Sequence, residues 1–196
     1  MTEKKATETR RDEIIKASLR LIEMNGLDNL SIANIATEIN LVPSAIYRHF
    51  GSKEEIIISL IDFVERSLQA NVLRVVKEND SAVNRLEALY ALHADFLKTQ
   101  PAIPRIVFSL LAANKNLTLK ERIFAVITNY AAKIKDILAD GQSNGDIAPS
   151  IDPAAAAMLF VGMVQPLIIF SQMETAEPVD GFKQTMWSVY ARGIKK

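Results

Sequence analysis

The sequence contains no cysteine and only two histidines among its 196 residues. A chain without thiols forms neither disulfides nor thiolate metal sites, so nothing in its composition indicates an oxidising compartment. Its seven glycines are too widely spaced for a G-x-G-x-x-G, P-loop or G-x-S-x-G motif. We therefore expect a cytoplasmic protein that is not an enzyme, with no catalytic residues, no metal site and no cofactor.

Long apolar segments are also scarce. Residues 1–20 are charged and contain no apolar stretch ahead of a cleavage site, which is unlike a secretory signal. The one candidate for a membrane span is the uncharged run between Asp152 and Glu174. Gly162, Gln165 and Pro166 interrupt this run. We favour a helix buried inside a large domain or at a subunit interface, and we expect no membrane contact.

Apolar residues recur at helical spacing along most of the chain, for example Ile14, Ala17 and Leu21, and no alternating stretch indicates a strand. This pattern predicts an all-α protein of about nine helices. Several helix boundaries are indicated by capping residues and breaks. These are Asn25-Gly26, Ser31, Pro43, Ser52 with Glu55, Thr118 with Glu121, the break from Gly141 to Pro149, and Asp152-Pro153.

Residues 31–50, SIANIATEINLVPSAIYRHF, combine two short helices with a tight turn. The first helix is predicted to have about eight residues and to pack through Ile35 and Ala36. Asn40 stands in the turn at a position that requires a left-handed backbone. The second helix, of about seven residues, is anchored by Ile46 and Phe50. This arrangement is helix-turn-helix geometry, in which the second helix enters the major groove of DNA.

The outer face of this second helix is small near its N-terminus and polar or aromatic near its C-terminus. Ser44 and Ala45 leave room for the backbone to approach the bases. Tyr47, Arg48 and His49 can reach phosphates and base edges. The pattern therefore favours a DNA-recognition helix.

A series of positions in the N-terminal third resembles the DNA-binding domain of the TetR family of transcriptional regulators. They are Arg11, Ile14, Ala17, Leu21, Gly26, Ser31, Ile35-Ala36, Leu41, Ile46-Tyr47, His49-Phe50, Ser52-Lys53-Glu54 and Ile56. The resemblance covers about residues 8–68, and its most specific part is Tyr-x-His-Phe-x-Ser-Lys-Glu at residues 47–54. Three positions depart from the family: Asn40 replaces the usual glycine, Val42 replaces a common capping serine, and Ser44 replaces a frequent glycine.

The resemblance implies two domains. Residues 8–68 would form a TetR-type helix-turn-helix DNA-binding domain with its motif at 31–50, and residues 69–196 a helical ligand-binding and dimerisation domain. It also implies that a homodimer, formed through the last two helices, binds a palindromic operator in double-stranded DNA. The implied DNA-contact residues are Ser31, Pro43, Ser44, Ala45, Tyr47, Arg48, His49 and Lys53.

The resemblance also implies a small effector that releases the protein from its operator, and the apolar residues of the C-terminal part favour a hydrophobic or amphipathic molecule. The candidate pocket residues are Phe63, Tyr90, His93, Phe96, Phe108, Phe124 and Met163. The same side chains would also serve as core. Repression is the expected mode of regulation, with activation left open. The alternative functions are a helical small-molecule-binding protein without sequence-specific DNA binding, and an all-α enzyme.

The charge balance runs against the usual basic character of DNA-binding proteins. The whole chain has 23 basic and 23 acidic residues, and residues 1–62 hold eight basic against ten acidic. Residues 39–53, however, contain Arg48, His49 and Lys53 and no acidic residue. We therefore expect weak non-specific binding with a shallow salt dependence. Four basic residues near the N-terminus form either an arm that follows a groove or a solvated, disordered terminus: Lys4, Lys5, Arg10 and Arg11.

Overall fold

The computed structural model describes residues 2–78, 81–113, 116–166 and 179–196. Within these ranges the chain forms nine α-helices and no strand, which confirms the all-α prediction. The helices are α1 (Thr2–Asn25), α2 (Ile32–Glu38), α3 (Pro43–Tyr47), α4 (Lys53–Glu78), α5 (Ala82–Thr99), α6 (Ala102–Phe108), α7 (Leu117–Asn144), α8 (Pro153–Gly162) and α9 (Val179–Ile194). A π-helical turn, Ser109–Ala113, continues α6.

The uncharged run identified in the sequence is only partly described. Its first residues form α8, and residues 167–173 lie outside the described ranges. No helix in the described part of the chain is long and apolar enough to cross a membrane.

The chain divides into two compact units. The N-terminal unit comprises Met1–Glu65 and Gln100–Val126, and the C-terminal unit comprises Arg66–Thr99 and Ile127–Lys196. The two longest helices, α4 and α7, each contribute residues to both units. Inside the N-terminal unit they are joined by Arg122, whose guanidinium lies 2.7 Å from the Asp62 carboxylate and 2.5 Å from that of Glu65.

Several predicted helix caps are present. The Ser31 hydroxyl accepts a hydrogen bond from the Asn34 amide at 3.1 Å, and the Ser52 hydroxyl accepts one from the Glu55 amide at 3.2 Å. The Asp152 carboxylate caps α8 by accepting from the Ala154 amide at 2.9 Å. These side chains satisfy amide groups that have no partner inside the helix, and so fix where each helix begins.

Two predicted boundaries on α7 are wrong. The helix begins at Leu117, and its cap is the side-chain oxygen of Asn116, which accepts from the Leu119 amide at 3.3 Å; Thr118 and Glu121 therefore form no capping box at its start. At the other end α7 continues through Gly141 and stops before Gly145, whose φ of 82° suits a glycine. Gly141 instead provides space for a close contact inside the C-terminal unit.

An aromatic cluster forms the centre of the C-terminal unit. The Tyr90 ring of α5 stacks on Trp187 with ring centroids 6.1 Å apart and meets Phe160 edge-on at 6.0 Å. Tyr190 contacts both Phe160 and Trp187 at 5.8 Å between centroids. Edge-on and offset rings of this kind add to the free energy gained from burial. The cluster thus joins α5, α8 and α9.

Candidate DNA interface

The pair formed by α2 and α3 has the predicted helix-turn-helix geometry. Ile35 and Ala36 of α2 and Ile46 of α3 are buried, so the two helices pack through the expected residues. The turn is closed by a hydrogen bond from the Leu41 amide to the Ala36 carbonyl at 2.8 Å, and Asn40 has a φ of 54°. The left-handed residue was therefore correctly predicted. Both helices are shorter than expected, with seven residues in α2 and five in α3.

The outward face of α3 carries the predicted contact residues. Pro43, Ser44, Tyr47 and Arg48 are exposed, and Tyr47 leaves 55% of its surface open to solvent. Within the described residues no hydrogen bond or ion pair occupies the Tyr47 hydroxyl or the Arg48 guanidinium. A large aromatic ring and an unpaired cation on one exposed helix face are therefore available to an external partner.

The remaining predicted contact residues lie at the edges of this face. Ser31, Ala45, His49 and Lys53 are half-buried. The Ser31 hydroxyl accepts the capping hydrogen bond of α2, as predicted, and its proton can still be donated to a partner. Val42 precedes α3 and provides no side-chain cap, as expected for valine.

His49 has a specific orientation. Its Nδ1 atom is buried and has no hydrogen-bond partner in the described part of the chain. The other ring nitrogen, Nε2, is therefore the atom that His49 can offer to a ligand.

The basic residues near the N-terminus are helical, because α1 begins at Thr2. Arg10 and Arg11 therefore do not lie in a disordered terminus. The Arg10 guanidinium pairs with Glu13 on the same helix at 2.5 Å. Arg11 donates to the main-chain carbonyl of His49, the second residue after α3. Arg11 and His49 are far apart in the sequence, so no local sequence pattern predicts this hydrogen bond.

The candidate pocket residues are divided between the two units. Phe63, Phe108 and Phe124 belong to the N-terminal unit, where Phe108 and Phe124 are exposed. The other four belong to the C-terminal unit: Tyr90, His93, Phe96 and Met163.

His93 and Tyr130 form a polar pair inside the C-terminal unit. The His93 Nδ1 atom lies 3.2 Å from the Tyr130 hydroxyl, and the two rings meet edge-on at 5.2 Å. Burial lowers the pKa of His93 to about 4 and raises the pKa of Tyr130 above its usual range. Both side chains are therefore uncharged at neutral pH.

Two tyrosine hydroxyls of the aromatic cluster differ in their hydrogen bonding. The Tyr190 hydroxyl donates to the Ala156 carbonyl at 3.0 Å. The Tyr90 hydroxyl is buried, with only 2% of the residue exposed, and has no partner among the described residues. An unpaired hydroxyl in an apolar core is costly, so this atom is a candidate contact for a ligand.

An apolar groove of about 610 Å³ runs between α8 and α9. Ala155 and Leu159 line it from α8, Met163 from the position directly after that helix, and Met186 and Val189 from α9. Leu159 is 66% exposed and Val189 is 59% exposed. The uncharged sequence of α8 was the signal for this surface, although it did not show which residues face outward. No group of three potential metal-ligating side chains occurs in the described part of the chain.

Two protein-family models together match residues 14–176 of the chain. Residues 14–60 match the model described as bacterial regulatory proteins of the tetR family. Residues 60–176 match the model described as the C-terminal region of YsiA-like proteins. The two models meet within α4.

Known proteins match along most of their length. The nucleoid occlusion factor SlmA of Aliivibrio fischeri is 30% identical over 157 residues, which is 80% of both chains. A TetR transcriptional regulator from Chloroflexus aurantiacus superimposes with a TM-score of 0.82 at 19% identity, covering 97% of this chain and 98% of that one. FadR from Bacillus subtilis, solved in complex with stearoyl-CoA, has a TM-score of 0.77 at 21% identity, with 93% and 98% covered. The two structural matches establish a shared fold.

Proposed function

The chain belongs to the TetR family of bacterial regulatory proteins, and from that premise we propose that it is a dimeric repressor released from its operator by a small effector. The chain is a DNA-binding transcriptional regulator. The observation that carries the proposal is the exposed face of α3, where Tyr47 and Arg48 have no partner among the described residues. In this proposal residues 8–68 bind DNA, and residues 69–196 bind the effector and the second protomer.

Each residue on the α3 face has a proposed role. Ser44 and Ala45 allow the helix backbone to approach the bases, and Pro43 begins the helix at the groove. Arg48 reads a base edge, because a guanidinium can form two parallel hydrogen bonds to a guanine. Tyr47 contacts phosphate. Contacts of this kind set the register of the protein on the duplex.

Three other residues complete the proposed contacts. Lys53 at the start of α4 and His49, through its Nε2–H, donate to phosphates. Ser31 lies at the N-terminus of α2, next to the DNA backbone. Few of these groups carry a positive charge, which supports the expectation of a shallow salt dependence.

The groove between α8 and α9 supports dimerisation through the last two helices. It is bordered by exposed leucine and valine side chains, and an apolar surface of this type is usually covered by a partner. Two protomers related by a two-fold axis would place their recognition helices about 34 to 36 Å apart, which matches one turn of DNA.

A mobility-shift assay on the DNA flanking the protein's own coding region tests the function. We expect a retarded complex at nanomolar protein that survives an excess of random DNA. Retardation that random DNA abolishes would contradict sequence-specific recognition. It would favour the alternative of a small-molecule-binding protein that has no operator.

Replacing Arg48 with Ala should weaken operator binding roughly 10-fold, because a bidentate base contact is lost. Binding to random DNA should change little, since a base-reading side chain contributes mainly to specific complexes. Affinities for both DNAs are measured at the same salt concentration. An equal loss on operator and random DNA would assign Arg48 to a phosphate instead.

The effector is proposed to be apolar with at least one hydrogen-bond acceptor. The Tyr90 hydroxyl supports this chemistry, since burial raises its pKa and it stays a protonated donor in apolar surroundings. His93 and Tyr130, both uncharged, add polar groups in the same unit. Stearoyl-CoA, the ligand of Bacillus subtilis FadR, has an apolar chain and a thioester carbonyl and is therefore a suitable probe.

Replacing Tyr90 with Phe should leave the thermal stability of the ligand-free protein unchanged or slightly raised, because it removes a buried hydroxyl without a partner. The matched control is Tyr190→Phe, which should lower the free energy of unfolding by about 1 kcal/mol because it removes a made hydrogen bond. Stearoyl-CoA should release the Tyr90→Phe variant from DNA only at several-fold higher concentration. If both variants lose the same stability, the Tyr90 hydroxyl is structural.

The sequence similarity to nucleoid occlusion factors supports a second candidate function, a role in nucleoid occlusion. A chromosome-wide map of bound sites distinguishes the two. A transcriptional repressor should occupy a few promoters, and deleting its gene should change the transcripts beside them. Many dispersed sites, with a division defect after deletion and unchanged transcripts, would favour nucleoid occlusion.

A further inference from the structure

The recognition helix α3 depends on contacts outside itself. It has five residues, too few for a stable helix on its own, and Val42 does not cap its N-terminus. Its own buried anchor is Ile46, and Phe50 follows it in the loop. The orientation of α3 is therefore set by its packing against α2 and by what holds its C-terminal end.

Arg11 holds that end through three contacts. Its guanidinium donates to the main-chain carbonyl of His49, the second residue after α3. The same group lies 3.9 Å above the centroid of the buried Phe50 ring, within the range of a cation–π interaction. Both of its terminal nitrogens are 3.4 Å from the Glu55 carboxylate on α4.

Glu55 is itself fixed to the loop between α3 and α4. Its second carboxylate oxygen accepts a hydrogen bond from the Gly51 amide at 2.7 Å, and its own amide donates to the Ser52 hydroxyl at 3.2 Å. Arg11 thus joins α1 to the end of the recognition helix and to the first turn of α4. All of these residues belong to the N-terminal unit.

We propose that Arg11 is a positioning residue for operator recognition, which sets the orientation of α3 without contacting DNA. The inference rests on the proposed function. The competing role for a basic residue in α1 is a phosphate contact, and 38% of the Arg11 side chain is exposed. The two roles differ in salt dependence, because a positioning residue releases no counterions when DNA binds.

The chain offers a matched control in the neighbouring Arg10. Arg10 lies on the same helix and has a similarly exposed side chain, but its partner is Glu13 on α1 itself. The substitutions Arg11→Gln and Arg10→Gln therefore remove the same charge from adjacent positions. Only Arg11→Gln removes contacts at the C-terminal end of the recognition helix α3.

The experiment measures operator and random-DNA affinity for the wild type, Arg11→Gln, Arg10→Gln and Arg11→Lys across a series of salt concentrations, well below each melting temperature. We expect Arg11→Gln to lower operator affinity about 10-fold or more, with random-DNA affinity and the salt slope unchanged. Arg10→Gln should stay within about 2-fold of the wild type. Arg11→Lys should fail to restore binding, because an ammonium lacks the planar fork.

Three outcomes would overturn the proposal. A salt slope reduced by about 0.9 for each lost contact would make Arg11 a phosphate ligand. Equal losses for the Arg10 and Arg11 variants would indicate a general charge effect. A lower melting temperature with an unchanged ratio of operator to random-DNA affinity would make Arg11 structural only.

Two further measurements keep the test decisive. If Arg11→Gln does not fold, Glu55→Gln replaces it, because its amide oxygen can still accept from Gly51 while its NH2 group replaces the carboxylate oxygen that faces Arg11. Glu55→Gln should then lower operator affinity, and an unchanged affinity would contradict the proposal. A wild type without specific binding would refute the proposed function itself, whereas loss in Arg48→Ala but not in Arg11→Gln would refute this inference alone.

Discussion

Replacing Leu159 with Asp should convert the proposed dimer into a monomer and lower operator affinity by about 100-fold or more. The side chain lines the groove between α8 and α9 and is 66% exposed in the single chain. An aspartate there would place a charge in an apolar contact, where its desolvation opposes association. A monomer binds each half-site separately and loses the gain in effective concentration that comes from linked binding.

Leu117 provides the matched control for this experiment. It is also 66% exposed but belongs to the N-terminal unit and lies outside the groove. Leu117→Asp should remain dimeric in sedimentation and bind the operator like the wild type. A dimeric Leu159→Asp variant would show that the interface lies elsewhere. A monomeric wild type that still binds palindromic DNA would refute the dimer itself.

Replacing Gly141 with Ala should lower the free energy of unfolding by about 3 kcal/mol, at the upper end of the usual cost of overpacking. A Cβ at this position would lie 2.5 Å from the Cβ of Ala82 and 2.6 Å from Cγ1 of Ile147. Neither atom is the end of a flexible side chain, so backbone must move to relieve the contact. For a chain of this length, the melting temperature should fall by roughly 2 to 4 °C per kcal/mol.

Gly181 is the control for Gly141, because it lies in α9 and a methyl group added there would meet no neighbouring side chain within 4 Å in the described part of the chain. Gly181→Ala should raise stability by about 0.5 to 1 kcal/mol through the better helix propensity of alanine. Thermal unfolding of the two variants should therefore give shifts of opposite sign. Equal or positive shifts for both would mean that α7 is not tightly packed at Gly141.

Features that depend on a few neighbouring residues could be predicted from the sequence. The caps at Ser31, Ser52 and Asp152 are hydrogen bonds that span two or three residues, so their signals are local. The left-handed Asn40 follows from the length of the turn. The helical period of apolar residues was enough to predict the all-α class.

Features that depend on distant residues could not be predicted. From the sequence alone, Gly141 predicts a helix break. Only its close approach to Ala82, far away in the sequence, explains why α7 continues through it. The N-terminus of α5 also depends on a distant residue, because the Ala82 amide donates to the Asp146 carboxylate at 2.9 Å within the C-terminal unit. The cap of α7 is local, since Asn116 and Leu119 are three residues apart, and the sequence signal was assigned to Thr118 instead.

The candidate site also contains some features that depend on neighbouring residues and others that depend on distant ones. The outward residues of α3 follow from its helical period, so Tyr47 and Arg48 were placed correctly on an exposed face. The role of Arg11 requires knowledge of which loop lies beside α1, and its partners are 38 and 44 residues away. The absence of a hydrogen-bond partner for the Tyr90 hydroxyl among the described residues can be recognised only from the fold around it.

The local excess of positive charge in residues 39–53 has a consequence for how many molecules a cell needs. In residues 1–62 acidic side chains outnumber basic ones, so most of this part of the chain has no net attraction for the chromosome. When a regulator binds random DNA weakly, few of its molecules are bound at the millions of competing non-specific sites. A small number of copies would then be enough to keep its operator occupied.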